Sequence, residues 1–198
     1  MTDPPSDESV PPQVLLWQNV DGFSQRLRER HGAHMRCGTG CSACCYTDIT
    51  VFASEAVEIL GWLDALDPGR KDELRRSWAA PAGSGLDPAG VSRPACAFLV
   101  QGRCAIYPVR PLICRTQGLP LLLESSIDGQ KLSMDVCPLN FTQPDSLPPA
   151  SQWLHLGRLN ALQRIASQNP RPGSELDVVQ GSCDDQGRLS LTRLRDLL

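Results

Sequence analysis

Aromatic side chains make up only 5% of this 198-residue chain, and histidine occurs three times. So few large rings leave a thin core, which cross-links or a bound ion would have to supplement. Positive charge is also scarce: the net charge is −3, and the arginines are dispersed among acids. That excludes the clustered basic surface on which phosphate recognition rests, so no nucleic-acid partner is expected. The longest apolar run, GLPLLLE, is far too short to span a membrane. The opening MTDPPSDESVPP has neither the basic nor the apolar part of a secretory leader. A P-loop, a GxGxxG after a strand, a GxSxG and an HExxH are all missing, as are solenoid repeats and heptads. The expectation is a cytoplasmic chain with a disordered arm over residues 1–12, a domain over 13–168 and a tail over 169–198.

Cysteine is what the chain has. There are nine, and in a reducing compartment clustered thiols serve metal binding or redox chemistry rather than disulfides. Seventeen prolines and sixteen glycines cut the chain into short elements joined by turns.

The periodicity of Leu16, Val20, Phe23 and Leu27 predicts an amphipathic helix from Gln13 to about Arg30. It delivers the chain into HGAHMRCGTGCSACC, where three glycines favour a tight loop. YTDITVF alternates like a strand. Ser54 then suits the cap of a helix burying Val57, Leu60, Trp62 and Leu63, ended by Asp67-Pro68-Gly69. RKDELRRSWAA is a further short helix, and PAGSGLDPAG reads as a flexible loop without a fold of its own. A small hairpin about Gln101-Gly102 brings Cys96 near Cys104, and a second about Asp128-Gly129 sets Cys137 roughly opposite Pro120. Ser151 caps a helix with Leu154, Ala161, Leu162 and Ile165 on one face, and Leu191, Leu194 and Leu198 mark a last short helix. The fold class is α+β, mostly helical, with short hairpins and cysteine-rich loops around a metal centre.

The cysteines fall into two groups. Cys37, Cys41, Cys44 and Cys45 read C-x3-C-x2-CC; Cys96, Cys104 and Cys114 follow, then Cys137-Pro138. Thiolates two or three residues apart on a tight loop can converge on one ion at Zn–S distances of about 2.3 Å. Neighbouring side chains usually diverge, so Cys44 and Cys45 hint at two centres or a spare thiol. The candidate ligands are Cys37, Cys41, Cys44, Cys104, Cys114 and Cys137, with Cys45 and Cys96 as further members. The alternative for all eight is burial as small hydrophobes, which two tight glycine-punctuated groups argue against. Cys183, in QGSCDDQGR, reads as an incidental exposed thiol.

CGTGCSACC followed by GRCAIYPVRPLICR and VCPL resembles the YkgJ-type cysteine-cluster family, described as a zinc- or iron-chelating domain. The matching anchors are the doubled cysteine, Ile106-Tyr107, Arg110-Pro111 and Cys114-Arg115, over a core motif at 37–137. The resemblance implies metal chelation. Flagellin lysine N-methylases carry a similar cluster, which raises the alternative of an iron-dependent redox or methyl-transferring enzyme.

Zinc would absorb eight thiolates as two closed sites, whereas an iron-sulfur cluster would need four; sulfur ligands suit both. C-x3-C-x2-C also matches the radical S-adenosylmethionine loop. Ala43 stands where those enzymes usually have an aromatic, and alternating strand-helix units are missing. Arg36, Arg103, Arg110 and Arg115 lie beside cysteines and could offset thiolate charge, or form ordinary ion pairs with Asp48 or Glu55. Tyr107, Arg110 and Arg115 would line a ligand cleft if the site is an enzyme's. His34 could be a mixed ligand or a solvated helix-end residue; His31 and His155 offer less. Asp48 and Glu55 read as solvated or capping residues rather than an acid/base pair.

Overall fold

The computed structural model describes residues 10–38, 40–47, 49–78, 83–124, 132–168, 179, 183–184 and 188–195. The architecture is α+β, with helices taking about half of the described residues and the strands all short. Helix α1 runs Pro12–His31, with proline preset for the first turn. Its buried stripe is Gln13, Leu16, Trp17, Val20 and Leu27, and Phe23 packs against the core half-buried. The first nine residues of the expected arm lie outside the described residues. A 3-10 turn at Gly32–His34 releases the chain into the cysteine loop.

Strand β1 (Thr50–Phe52) pairs antiparallel with the distant β9 (Arg188–Ser190), setting Val51 opposite Leu189 with both fully buried. Helix α2 (Ala53–Asp64) follows directly. Ser54 is not its cap: the helix starts one residue earlier, and the Glu55 carboxylate reaches back to the Phe52 N–H. The Ser54 hydroxyl instead donates to Gln13 Oε1. Val57, Leu60 and Leu63 are buried as expected, and Trp62 is half-buried against the core. Pro68 both ends the turn after α2 and opens α3 (Pro68–Trp78), capped by Asp67 Oδ1 accepting the Arg70 N–H at 3.0 Å.

The segment expected to be a structureless loop carries a hairpin, β2 (Ser84–Leu86) against β3 (Ser92–Pro94). Asp87 organises its turn by accepting the N–H groups of Ala89 and Val91, both at 2.9 Å, while Gly90 takes φ +80°. The second hairpin joins β4 (Leu99–Val100) to β5 (Arg103–Cys104) through Gln101 and Gly102, both at positive φ. After a 3-10 turn at Tyr107–Val109 come α4 (Leu112–Thr116), β6 (Leu121–Glu124) and its antiparallel partner β7 (Leu132–Asp135). The turn expected at Asp128-Gly129 lies outside the described residues. Leu121 faces Asp135, so Cys137 follows two residues beyond the paired end of the ladder.

Strand β8 (Leu154–His155) runs parallel to β6, an addition no hairpin signal announces. Helix α5 spans Leu156–Gln168, so it starts after Ser151, which sits in a separate 3-10 turn. Its buried face is Leu159, Gln163 and Ala166; Leu162 and Ile165 are 50% and 55% exposed. The expected face was therefore rotated, because its most deeply buried position is a glutamine. Gln13 and Gln163 exchange amide hydrogen bonds at 3.1 and 2.6 Å, and Ser54 and Ser167 extend this buried link between α1, α2 and α5. Residues 188–195 return to the core as β9 and α6 (Leu191–Arg195), with Leu191 and Leu194 buried. Leu198 lies outside the described residues. Ile59, Phe98, Ile106, Leu189 and Leu194 fill the centre, with Trp78 edge-on to Phe98 at 5.5 Å. No helix among the described residues is long and apolar enough to cross a membrane.

Candidate metal centre

Seven of the eight clustered cysteines line one cavity of about 390 Å³. The loop after α1 contributes Cys37, Cys41, Cys44 and Cys45. The segment entering the β4–β5 hairpin contributes Cys96, β5 contributes Cys104, and α4 contributes Cys114. Cys137 is not on the wall, but its charge acts on Cys37 from the end of β7. Backbone bonds hold the segments together: the Cys96 N–H donates to the Cys45 carbonyl at 2.7 Å, and the Ala105 N–H to the Phe98 carbonyl at 2.8 Å. The 3-10 turn Ala43–Cys45 places both Cys44 and Cys45 on the cavity wall. Among the described residues, every charged side chain on the wall is an arginine: Arg28, Arg103, Arg110 or Arg115. All nine cysteines are free thiols.

Burial pushes the Cys114 thiol well up, and nearby Cys96, Cys104 and Cys44 add to the effect. Burial raises Cys104 and Cys37 as well; for Cys37 a hydrogen bond from Asn140 works the other way. Cys44 stands apart. The hydrogen bond from Cys45 lowers it to about 7, aided by the Arg110 charge, and Cys45 is raised in return. Crowded thiols of this kind release their protons to solvent when a bound cation offsets the accumulating charge. Among the described residues, no three histidine, cysteine or acidic side chains already stand in a coordinating arrangement.

Two arginines connect the wall to α1. The Arg110 guanidinium lies 4.0 Å over the Tyr107 ring and donates to Asp21 at 3.3 Å. Its Nε is buried with no protein acceptor, and the guanidinium charge favours the ionised forms of Cys44 and Cys104. Such an orphaned donor suits a thiolate or cluster sulfur, so the residues present fit a metal bound through sulfur. Arg115 is spent elsewhere: Nε donates to the Arg110 carbonyl and Nη2 to the Pro108 carbonyl, each at 2.7 Å. Nη1 pairs with Asp21, and the guanidinium stacks 4.6 Å over Trp17. Arg115 thus clamps the turn that presents Tyr107 and Arg110. Tyr107 itself is 62% exposed at the rim.

Buried groups outside the cysteine motif position the loop and helix that bear the thiols. Glu55 is only 2% exposed and accepts from Leu112 N, Phe52 N and Trp17 Nε1, so it caps as expected but is buried rather than solvated. Asn140, 3% exposed, donates to Cys37 Sγ and the Gly118 carbonyl and accepts from the Arg36 N–H. Gly118 takes φ +85°, and a Cβ there would overlap the Cys37 sulfur. Arg28 donates to the Cys37 carbonyl from α1. A buried asparagine or glutamate acting on the backbone looks like any surface residue in a linear sequence.

His34 is not on the wall; its carbonyl accepts the Phe141 N–H at 2.7 Å. His31 contacts Gln152 at 3.0 Å. Asp48 lies outside the described residues. Cys183 is half-buried against the core, its thiol donating to the Val179 carbonyl at 3.2 Å, and is not the exposed thiol that its polar neighbours suggest.

A family model described as "CxxCxxCC: Putative zinc- or iron-chelating domain" matches residues 36–137, just over half of the chain. The chain belongs to this cysteine-cluster family. No curated protein and no solved structure matches it.

Proposed function

We propose that this protein binds zinc or an iron-sulfur cluster through thiolates drawn from Cys37, Cys41, Cys44, Cys45, Cys96, Cys104, Cys114 and Cys137, in a reducing, cytoplasmic setting. The observation that carries this reading is the meeting of seven cysteines from separate segments on one cavity whose charged wall groups, among the described residues, are all arginine. When bound, the metal supplies charge that keeps the thiols ionised and a cross-link between the α1 loop, the β4–β5 hairpin and α4. Arg110 then offsets thiolate charge through its free Nε, Arg115 holds the Arg110 turn, and Glu55 holds the helix bearing Cys114.

A second reading, an iron-dependent redox or methyl-transferring enzyme, is favoured by the cavity itself. Its volume of about 390 Å³ falls within the range of small-molecule pockets, and Tyr107 and Arg110 flank it.

Protein purified without oxygen should contain stoichiometric zinc or iron. Zinc with a featureless visible spectrum supports a chelating module. Iron with acid-labile sulfide and visible charge-transfer absorption supports the redox or methyl-transfer reading. Failure to retain or take up either metal, with the eight thiols freely titrated by a disulfide reagent, overturns the proposal.

A further inference from the structure

We propose that Asn140 is a positioning residue of the metal centre, its side-chain amide donating to the Cys37 sulfur and holding that ligand in place. This rests on the reading that the cysteines bind metal. Asn140 lies three residues past the last clustered cysteine and outside the segment matched by the family.

The amide is fully engaged. Nδ2 has two protons and two acceptors, the Gly118 carbonyl at 2.7 Å and Cys37 Sγ at 3.2 Å. Oδ1 accepts the Arg36 N–H at 2.7 Å. The opposite amide orientation would set an oxygen against two acceptors and an NH2 against a donor, so the observed one is the only one that satisfies all three contacts. The turn behind it is anchored too: the Asn140 N–H donates to the Cys137 carbonyl at 2.9 Å, and the Phe141 N–H to the His34 carbonyl at 2.7 Å. One side chain thereby ties the residue before Cys37, the Cys37 sulfur and the strand approach at Gly118 to the turn that begins at Cys137. Gly118 is an independent sign of the fit, since a Cβ there would reach within 2.9 Å of Asn140 Nδ2 as well as overlap the sulfur.

A hydrogen bond to a ligating sulfur fixes the direction of its lone pairs and draws off electron density, and losing such an outer contact typically costs about 10–100-fold in metal affinity. A purely architectural asparagine would alter stability without changing the electronic properties of the bound metal.

The test uses the full chain loaded with Co2+, whose thiolate charge-transfer band reports on the sulfurs. Asn140→Asp keeps an acceptor for Arg36 but sets an oxygen against the sulfur, and Asn140→Ala removes both contacts. The expected result is a loss of about 10–100-fold in Co2+ affinity by chelator competition, with a shifted charge-transfer band. Unchanged band position and affinity in either folded variant overturns the inference. If both variants fold poorly, the wild-type protein loaded with cadmium decides: scalar coupling between the metal and the Asn140 amide protons supports the hydrogen bond. Couplings to other groups but none to Asn140 overturn it. Wild-type protein that binds neither cobalt nor cadmium removes the metal reading itself, and the inference with it.

Discussion

The carboxylate of Glu55 accepts the backbone N–H of Leu112 at 2.6 Å, across 57 positions of chain, and so caps the helix that presents Cys114. The same group accepts Trp17 Nε1 and the Phe52 N–H, so α1, α2 and α4 meet on one buried acid. Glu55→Ala would leave three donors without an acceptor and should destabilise the fold by about 3 kcal/mol or more, read as a lower urea midpoint. Burial raises this carboxyl above its ordinary 4.5, so the native state holds the proton to higher pH than the unfolded chain does. The stability it contributes is therefore complete below the unfolded value and is lost as pH rises through the folded one. Glu55→Gln should flatten that part of the stability-pH curve.

Arg115→Lys keeps the charge but cannot reach the Pro108 carbonyl, the Arg110 carbonyl and Asp21 in one plane. A loss of about 2–3 kcal/mol is expected by chemical denaturation, from carbonyls left without donors. Asp21→Asn should cost less than about 1 kcal/mol, because that carboxylate is 43% exposed and well screened.

Gln163 is fully buried, and its amide is paired with Gln13. Gln163→Leu alone should destabilise the protein by about 2–3 kcal/mol by leaving the buried Gln13 Nε2 donor without its acceptor. Adding Gln13→Leu should recover much of that loss, and thermal unfolding of both single variants and the double variant measures the coupling.

Gly118→Ala meets two obstacles, a positive φ and the Cys37 sulfur. The backbone alone costs about 1–2 kcal/mol. Displacement of Cys37 should also lower metal content, measured by elemental analysis on the folded fraction.

Cys41→Ser should reduce metal retention, since Cys41 is on the cavity wall. Cys183→Ser should leave metal content unchanged, because Cys183 bonds the Val179 carbonyl away from that wall. Elemental analysis of the two variants side by side separates the clustered thiols from the solitary one.

Local patterns carried a definite part of this structure. The four-three-four spacing of Leu16, Val20, Phe23 and Leu27 specifies α1, and Gln101-Gly102 specifies the β4–β5 turn, because each signal is complete within a few residues. The cysteine spacing likewise marked the groups that line the cavity. Where the signal was ambiguous, the longer-range partner decided. Leu162 and Ile165 suggested one face of α5, but Gln163 could turn inward once Gln13 and Ser54 offered hydrogen bonds that only the packed helices bring together. The sequence by itself determined the thiol-rich chemistry and the positions of most helices, because residue type and periodicity are local properties. Only the tertiary structure decided that β9 closes on β1, that Cys96, Cys104 and Cys114 join the α1 loop around one cavity, and that Glu55 and Asn140 serve it. Those outcomes depend on which buried donors and acceptors meet across long stretches of chain, and the free energy of satisfying them exists only when the whole fold is in place.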